Sequence, residues 1–292
     1  MTASCGSVLA AADETVHARH KKAADDRVVF AFRVNRLGQL TRRGSVHTRD
    51  GAIGTNRKSG VFSMYTLYIA NKNYSSWSLR PWVLLREHAI AFSEQLVPFE
   101  AASNWERFRR FSPSAKVPCL IDQAVTVWDS LGIAEYLAER HPGIWPTDTA
   151  ARAWARCSAA EMHSGFGVLR ERCTMNCGIR VRLAEMPPEL QQDIARIDEL
   201  WIEGIARFGG PFLAGAMFTA VDAFFAPVAF RVQTYGLALG SVAAGYAQRL
   251  LALDSMRSWY AEALREPWRE PAHEAEAQSA GTWLEDRRLP PP

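Results

Sequence analysis

The chain has 292 residues, 48% of them hydrophobic, and a formal net charge of +3 at neutral pH. Ten tryptophans and fourteen phenylalanines indicate a folded globule, and no apolar run approaches the roughly 20 residues of a membrane span, so we expect no membrane association. The basic excess lies in residues 1–63, with 11 Lys and Arg against 5 Asp and Glu. The remainder has 23 against 26 and gives no basis for nucleic-acid binding.

Residues 1–63 show little periodicity. The stretch TRRGSVHTRDGAIGTNRKSG is rich in Gly, Ser, Thr and Arg, a composition typical of disorder. An organised pattern begins abruptly at Met64. We therefore predict that residues 1–63 are a disordered extension, or one that results from a start codon assigned too far upstream.

From Met64, short apolar runs alternate with helical patterns. MYTLYIA, AFSEQLVPF, VPCLID and AVTVWD have the composition of strands, and SLRPWVLLREHA and DSLGIAEYLAERH have the spacing of amphipathic helices. SNWERFRRFS indicates a shorter helix. The order β-α-β-α-β-β-α predicts a small α/β domain over residues 64–146, with helices packed against a sheet.

After Trp145 the strand patterns stop. Five segments have helical spacing, the first of them running continuously over residues 149–173, and Pro187 and Pro188 suit a helix start. The sequence therefore predicts an all-helical domain over residues 147–284. The ending EDRRLPPP predicts a disordered tail over residues 285–292.

Two adjacent serines, Ser75 and Ser76, stand where the first strand gives way to the first helix, in NYSSWSLR. A serine at this place can cap the helix. A hydroxyl at the positive end of a helix can instead hold an anion. The two residues alone leave both interpretations open.

Three further two-residue motifs follow in order along the chain. They are Val117 with Pro118 in SAKVPCL, Asp129 with Ser130 in WDSLGIAEYL, and Thr219 with Asp222 in FTAVDAFF. The last pair has the spacing of a reciprocal helix cap, so we expect Thr219 and Asp222 to matter for folding and not for catalysis.

These motifs and the order of elements resemble those of the cytosolic glutathione transferases, and SSWSLR resembles the active-site run of the zeta class. The resemblance covers about Met64 to Arg265. It implies a bacterial Ser-type enzyme with a thioredoxin-like domain followed by an all-helical domain. It also implies a cytoplasmic homodimer acting in detoxification, with glutathione as co-substrate, a small hydrophobic electrophile as second substrate, and no metal. Five cysteines, odd in number and irregularly spaced, fit a reducing compartment.

The resemblance gives the serines a chemical role. A free thiol with a pKa of about 8.5 is mostly protonated at neutral pH, and a hydroxyl donating to sulfur would favour the thiolate. We expect Ser75 in this role, with Ser76 as its main rival. Tyr74 and Tyr68 are weaker rivals, because packing around the first strand explains both of them better.

The other motifs would bind the rest of glutathione. Asp129 and Ser130 would hold its glutamyl end, although both also suit a plain N-cap. Val117 would offer backbone groups beside a cis Pro118, unless the proline is trans in an ordinary strand start. Lys116 would reach the glycyl carboxylate, or remain a solvated lysine.

The electrophile would lie between the two domains. We expect its site along CSAAEMHSGF and one turn beyond, at Met162, His163, Phe166 and Arg170. His163 would act as an acid or orient the electrophile, or would simply be an interdomain histidine whose hydrogen bonds are satisfied within the protein. Arg170 would bind an anionic co-substrate or form a surface ion pair.

Transfer of an alkyl or aryl group to glutathione sulfur is the activity we expect. Alternatives are a maleylacetoacetate-isomerase-like or glutathione-dependent peroxidase activity, and a non-catalytic ligand-binding or interaction protein of the same fold. Trp77 stands where the zeta-type motif has cysteine, which argues against the isomerase. The lack of a cysteine between Ser75 and Ser78 argues against a dithiol mechanism.

Overall fold

A computed structural model describes residues 64–100 and 103–290 of the chain. The segment 1–63, predicted to be disordered or wrongly assigned, lies outside these described residues, and so do residues 291 and 292 of the predicted tail. Among the described residues, no helix combines the length and the apolar character needed to span a bilayer.

The chain from residue 64 forms the predicted β-α-β-α-β-β-α unit. Its strands are β1 (Tyr65–Ile69), β2 (Phe92–Leu96), β3 (Cys119–Asp122) and β4 (Val125–Val127), and its helices are α1 (Ser76–Glu87), α2 (Trp105–Arg109) and α3 (Ser130–Ala138). The sheet order is β2-β1-β3-β4. Strand β1 is parallel to β2 and antiparallel to β3, which is antiparallel to β4. This mixed sheet confirms the predicted thioredoxin-like fold.

Helices dominate the rest of the described chain, as predicted. They are α4 (Thr149–Ser164), α5 (Gly167–Arg172), α6 (Pro188–Phe208), α7 (Ala220–Tyr235), α8 (Ser241–Ala252), α9 (Asp254–Arg265) and α10 (Pro271–Ala280). The single helix predicted over residues 149–173 is in fact two, because α4 ends at Gly165 and Phe166 has a left-handed φ of 57°. A Cβ at Gly165 would lie only 2.8 Å from the carbonyl oxygen of Glu161.

The helical region also holds a two-stranded antiparallel sheet that the sequence analysis did not predict. It pairs β5 (Ile179–Leu183) with β6 (Gly281–Asp286). The prediction of a disordered tail from residue 285 is therefore wrong for the described part of that tail. The guanidinium of Arg288 is buried and forms ion pairs with Glu274 and Asp286.

A continuous hydrophobic core joins the sheet to the helices. Leu67 and Ile69 of β1 are fully buried, with partly exposed residues between them, as expected for a strand that presents one face to the core. The ring of Trp82 on α1 lies 5.1 Å from that of Trp259 on α9, and α1 also packs against α7. Truncating a buried tryptophan costs about 3–5 kcal/mol, so this contact holds the two parts firmly together.

Candidate active site

A cavity of about 440 Å³ lies between the thioredoxin-like domain and the helices. One side, here called the sheet wall, is formed mainly by residues 74–77, Phe99 and residues 115–117. The other side, here called the helical wall, is formed by Arg170, Thr174, Met175, Arg231, His273 and Glu276. Ligand sites in proteins are usually concave and lined by apolar groups with a few convergent polar ones, and this cavity has that character.

Both predicted serines lie on the sheet wall, in different states. Ser75 precedes α1, makes no capping hydrogen bond, and donates from Oγ to Oγ of Ser78 at 2.7 Å. Ser76 is the first residue of α1, and its hydroxyl makes no hydrogen bond to any described residue. The hydroxyl that remains available at the helix N-terminus is therefore that of Ser76.

The two tyrosine rivals have other partners. The hydroxyl of Tyr74 donates to Glu274 at 2.8 Å, and burial raises the pKa of this tyrosine. The ring of Tyr68 stacks on Phe111 at 4.1 Å, and Tyr68 does not line the cavity. The hydroxyl of Tyr74 is thus occupied, and Tyr68 is not part of the cavity lining.

The loop before β3 brings Lys116 and Val117 onto the sheet wall. The Val117–Pro118 peptide bond is cis. Lys116 is exposed and forms no ion pair with a described residue. Its ammonium is therefore free to meet a carboxylate in the cavity.

Asp129 and Ser130 do not line the cavity. Asp129 caps α3, accepting from the backbone N–H groups of Leu131 at 2.8 Å and Gly132 at 3.3 Å. Ser130 is buried, and its Oγ accepts from Nη1 of Arg80 at 3.5 Å. Asp129 thus has the partners of a structural N-cap, whereas Ser130 is held by a side chain of α1.

Of the four residues predicted to bind the electrophile, only Arg170 lines the cavity. Met162 and Phe166 are buried. Nε2 of His163 lies 3.4 Å from Oδ2 of Asp129, and its ring meets Trp77 edge-on at 5.2 Å. Burial lowers the pKa of His163, and Asp129 partly opposes this effect.

Arg231 on the helical wall was not predicted from the sequence. Arg231 lies on α7, is 4% exposed, and donates from Nε to the carbonyl oxygen of Cys173 at 2.8 Å. Burial, with repulsion from Arg170, lowers its pKa to about 10. The signal was present, because Arg231 is the only Lys or Arg in the mostly apolar helix AVDAFFAPVAFRVQTY.

His273 on α10 was also missed. Its ring stacks on Tyr74 at 4.9 Å and on Phe99 at 5.1 Å, and its Nδ1 lies 2.6 Å from Oε2 of Glu270. Because a carboxylate accepts hydrogen bonds, Nδ1 carries the proton in the neutral ring and Nε2 is left as the proton acceptor. No local sequence pattern predicts this residue. It lines the cavity only because α10 packs against Tyr74 and Phe99, which are far from it in the sequence.

Thr219 and Asp222 lie away from the cavity and form a capping box at the start of α7. Asp222 also accepts from the backbone N–H of Leu213 at 3.0 Å and from the hydroxyl of Tyr246 at 2.8 Å. Burial raises the pKa of Asp222 to about 6. In the described part of the chain, no cluster of His, Cys, Asp and Glu is arranged to hold a metal ion.

A thioredoxin-like domain joined to helices, with a cavity between them, is the architecture of the glutathione transferases. Residues 74–140 match the family model of the glutathione S-transferase N-terminal domain. The chain therefore contains a glutathione S-transferase N-terminal domain over these residues.

Individual relatives are distant. The chain is 24% identical over 199 residues to a stringent starvation protein A homolog from Histophilus somni, covering 66% of this chain and 88% of the relative. It is 29% identical over 102 residues to a probable maleylacetoacetate isomerase from Caenorhabditis elegans, covering 34% of this chain and 47% of the relative. A glutathione-bound structure of a glutathione transferase homologue from Burkholderia gl BGR1 has a TM-score of 0.53 at 22% identity, covering 68% of this chain and 98% of that one. This last likeness shows the fold.

Proposed function

We propose that the protein is a glutathione transferase that binds glutathione on the sheet wall and transfers its sulfur to an electrophile held on the helical wall. The observation that carries the proposal is the free hydroxyl of Ser76 at the N-terminus of α1, inside a cavity between the two parts. A hydroxyl donor and the helix dipole both favour a sulfur anion at this place.

The rest of the sheet wall suits the tripeptide. Val117 offers backbone groups beside Pro118. Lys116 offers to the glycyl carboxylate an ammonium that has no ion-pair partner among the described residues. Asp129 and Ser130 would bind the glutamyl end only after breaking their hydrogen bonds to the backbone of α3 and to Arg80. The thiol proton would pass to Nε2 of His273, which lies in the same cavity.

The test is a titration of the full chain with glutathione at neutral pH, following the ultraviolet absorbance of the thiolate. We expect a saturable signal that Ser76→Ala abolishes and Ser75→Ala largely keeps, since only the hydroxyl of Ser76 is free. Turnover of a nitro-activated aryl chloride should fall about a hundredfold in Ser76→Ala, as for loss of one donor to a reacting anion. An equal loss in both variants, or none in either, would contradict the assignment.

A second candidate is a non-catalytic protein of the same fold that binds glutathione or another partner. It is favoured by the relatives named stringent starvation protein A homolog, a name that states no reaction. Calorimetric binding of glutathione without a thiolate signal, and without turnover of any electrophile, would support this candidate over the transferase.

An isomerase or a peroxidase would use the same thiolate. A relative named as a probable maleylacetoacetate isomerase matches over 102 residues, but Trp77 at the position of the motif's cysteine argues against that activity. We further propose a cytoplasmic homodimer with a role in detoxification, on the resemblance to the family alone. Light scattering of the purified chain tests the dimer.

A further inference from the structure

Arg231 is the most deeply buried charged side chain among the described residues that line the cavity. Its Nε is used by the carbonyl oxygen of Cys173. Its two Nη atoms make no hydrogen bond to a described residue, and the side chain lines the cavity. Among the described residues, this buried guanidinium thus has one edge without a partner.

The surroundings of Arg231 are positively charged. It forms no ion pair with a carboxylate of the described chain, and its charged neighbour Arg170 also lines the cavity. Arg170 is itself held by the carbonyl oxygens of Met162, His163 and Gly165. Burying an ion costs several kcal/mol of lost hydration, and a neighbour of the same charge adds to this cost. An anion bound beside Arg231 and Arg170 would offset it.

The free edge of Arg231 selects the kind of anion. Two Nη donors side by side match the two oxygens of a carboxylate in a bidentate pair. The guanidinium of Arg231, which has no carboxylate partner among the described residues, is balanced by one negative charge. The carboxylate of Glu276 on the same wall would repel a ligand with more than one. We propose that Arg231, supported by the positive potential of Arg170, forms a carboxylate subsite, and that the electrophile of the proposed transferase carries this carboxylate.

The place of the subsite assigns the carboxylate to the electrophile. The groups that suit glutathione, namely Ser76, Lys116 and Val117, are on the sheet wall, and Arg231 is on the helical wall. A ligand anchored at Arg231 would therefore lie opposite the sulfur. In the reaction, a bond forms between sulfur and the electrophilic carbon while the bond from that carbon to the leaving group breaks. The leaving group departs with the electron pair, and the thiol proton goes to His273.

Calorimetry with benzoate tests the subsite without any turnover, so it is independent of whether the protein is a transferase. We expect the full chain, saturated with glutathione, to bind benzoate. Arg231→Met should weaken the binding at least tenfold, and Arg231→Lys should weaken it less because it keeps the charge. Arg257→Met, which removes an exposed arginine away from the cavity, should leave it unchanged. Circular dichroism confirms that each variant is folded.

Kinetics then identifies the source of the carboxylate. With para-(bromomethyl)benzoate and its methyl ester as matched electrophiles, Arg231→Met should lower kcat/KM for the acid about tenfold or more and leave that for the ester nearly unchanged. If Arg231→Met instead weakened glutathione binding and left benzoate binding intact, the carboxylate would be that of glutathione and the assignment to the electrophile would be wrong. If wild type and Arg231→Met bound benzoate equally and glutathione equally, or if neither bound benzoate, the subsite itself would be overturned.

Discussion

The two walls of the cavity favour anions by different physical means. On the sheet wall the donor is the neutral hydroxyl of Ser76, at the N-terminus of the 12-residue helix α1. The dipole of such a helix is equivalent to about half a positive charge at that end. On the helical wall the donor is Arg231, a full charge buried without a carboxylate partner among the described residues.

This difference matches two kinds of ligand. A dipole and a hydroxyl can favour a thiolate, which forms only after the thiol is bound and loses a proton, at little expense to the empty protein. A buried guanidinium suits a ligand that arrives already charged, and it destabilises the empty protein because it has lost its hydration. The hydroxyl on the sheet wall should therefore have little effect on the free energy of unfolding. The buried charge on the helical wall lowers that free energy, so other interactions in the fold must stabilise the helices that carry this wall.

The largest expected effect comes from removing that support at the start of α7. Asp222→Ala would leave the backbone N–H groups of Leu213 and Thr219 and the hydroxyl of Tyr246 without their acceptor in the core. Each unsatisfied buried donor costs about 1–3 kcal/mol, so we expect the free energy of unfolding to fall by about 3–5 kcal/mol. Urea unfolding followed by circular dichroism measures this change.

Asp148→Ala is the matched control. Asp148 also caps a helix, α4, but it is exposed and accepts only from the backbone N–H of Ala151. Loss of such a cap costs about 1 kcal/mol. If the two substitutions destabilised the protein equally, the network around Asp222 would contribute nothing beyond an ordinary cap.

The second effect concerns the C-terminal support of the helical wall. Arg288→Met would remove a buried guanidinium that pairs with Glu274 and Asp286 and so connects β6 to α10, which carries His273. We expect a loss of about 2–3 kcal/mol, somewhat less than for a fully buried pair because both carboxylates are partly exposed. Amide hydrogen exchange should quicken first in α10.

The neighbouring residue supplies the comparison for Arg288. Arg287 pairs with Glu285 at the surface, where both side chains are half exposed. Solvent screens an exposed ion pair, so Arg287→Met should change stability far less than Arg288→Met does. Destabilisation of similar size in both variants would mean that burial of Arg288 is of no consequence.

The sheet wall could be predicted from sequence because its features are local. The alternation of β1, the serines before α1 and the Val-Pro pair all lie in short segments whose patterns are visible in the chain. The helical wall depends on contacts between distant segments, such as β5 with β6, or Glu274 and His273 with Tyr74. Local periodicity contains no sign of these contacts. Arg231 was the exception, since an arginine within a mostly apolar, buried helix is costly to bury and therefore indicates a functional role.

The third prediction is opposite in sign. Arg231→Met should raise the free energy of unfolding of the ligand-free protein by about 1–2 kcal/mol, because an apolar side chain of similar length removes an unpaired buried charge. The hydrogen bond to Cys173 is lost as well, and this loss reduces the gain. Thermal unfolding without ligand, with Arg257→Met as control, measures it. Destabilisation by more than 1 kcal/mol would show that the guanidinium is already satisfied in the empty protein.

The smallest expected effect separates the two serines. Ser75→Ala removes the hydrogen bond to Ser78 within the protein and should cost about 1 kcal/mol of stability. Ser76→Ala removes a hydroxyl without a partner among the described residues, and it should change stability by less than about 0.5 kcal/mol. The order for thiolate formation is expected to be the reverse, since only Ser76 has a hydroxyl to offer to sulfur. Unfolding curves and thiolate absorbance of the same two variants therefore test whether the hydroxyl of Ser75 serves stability and that of Ser76 serves the thiolate. If Ser75→Ala were the variant that kept its stability and lost the thiolate, the hydroxyl of Ser75 would have to turn from Ser78 to the ligand, and Ser75 would be the catalytic serine.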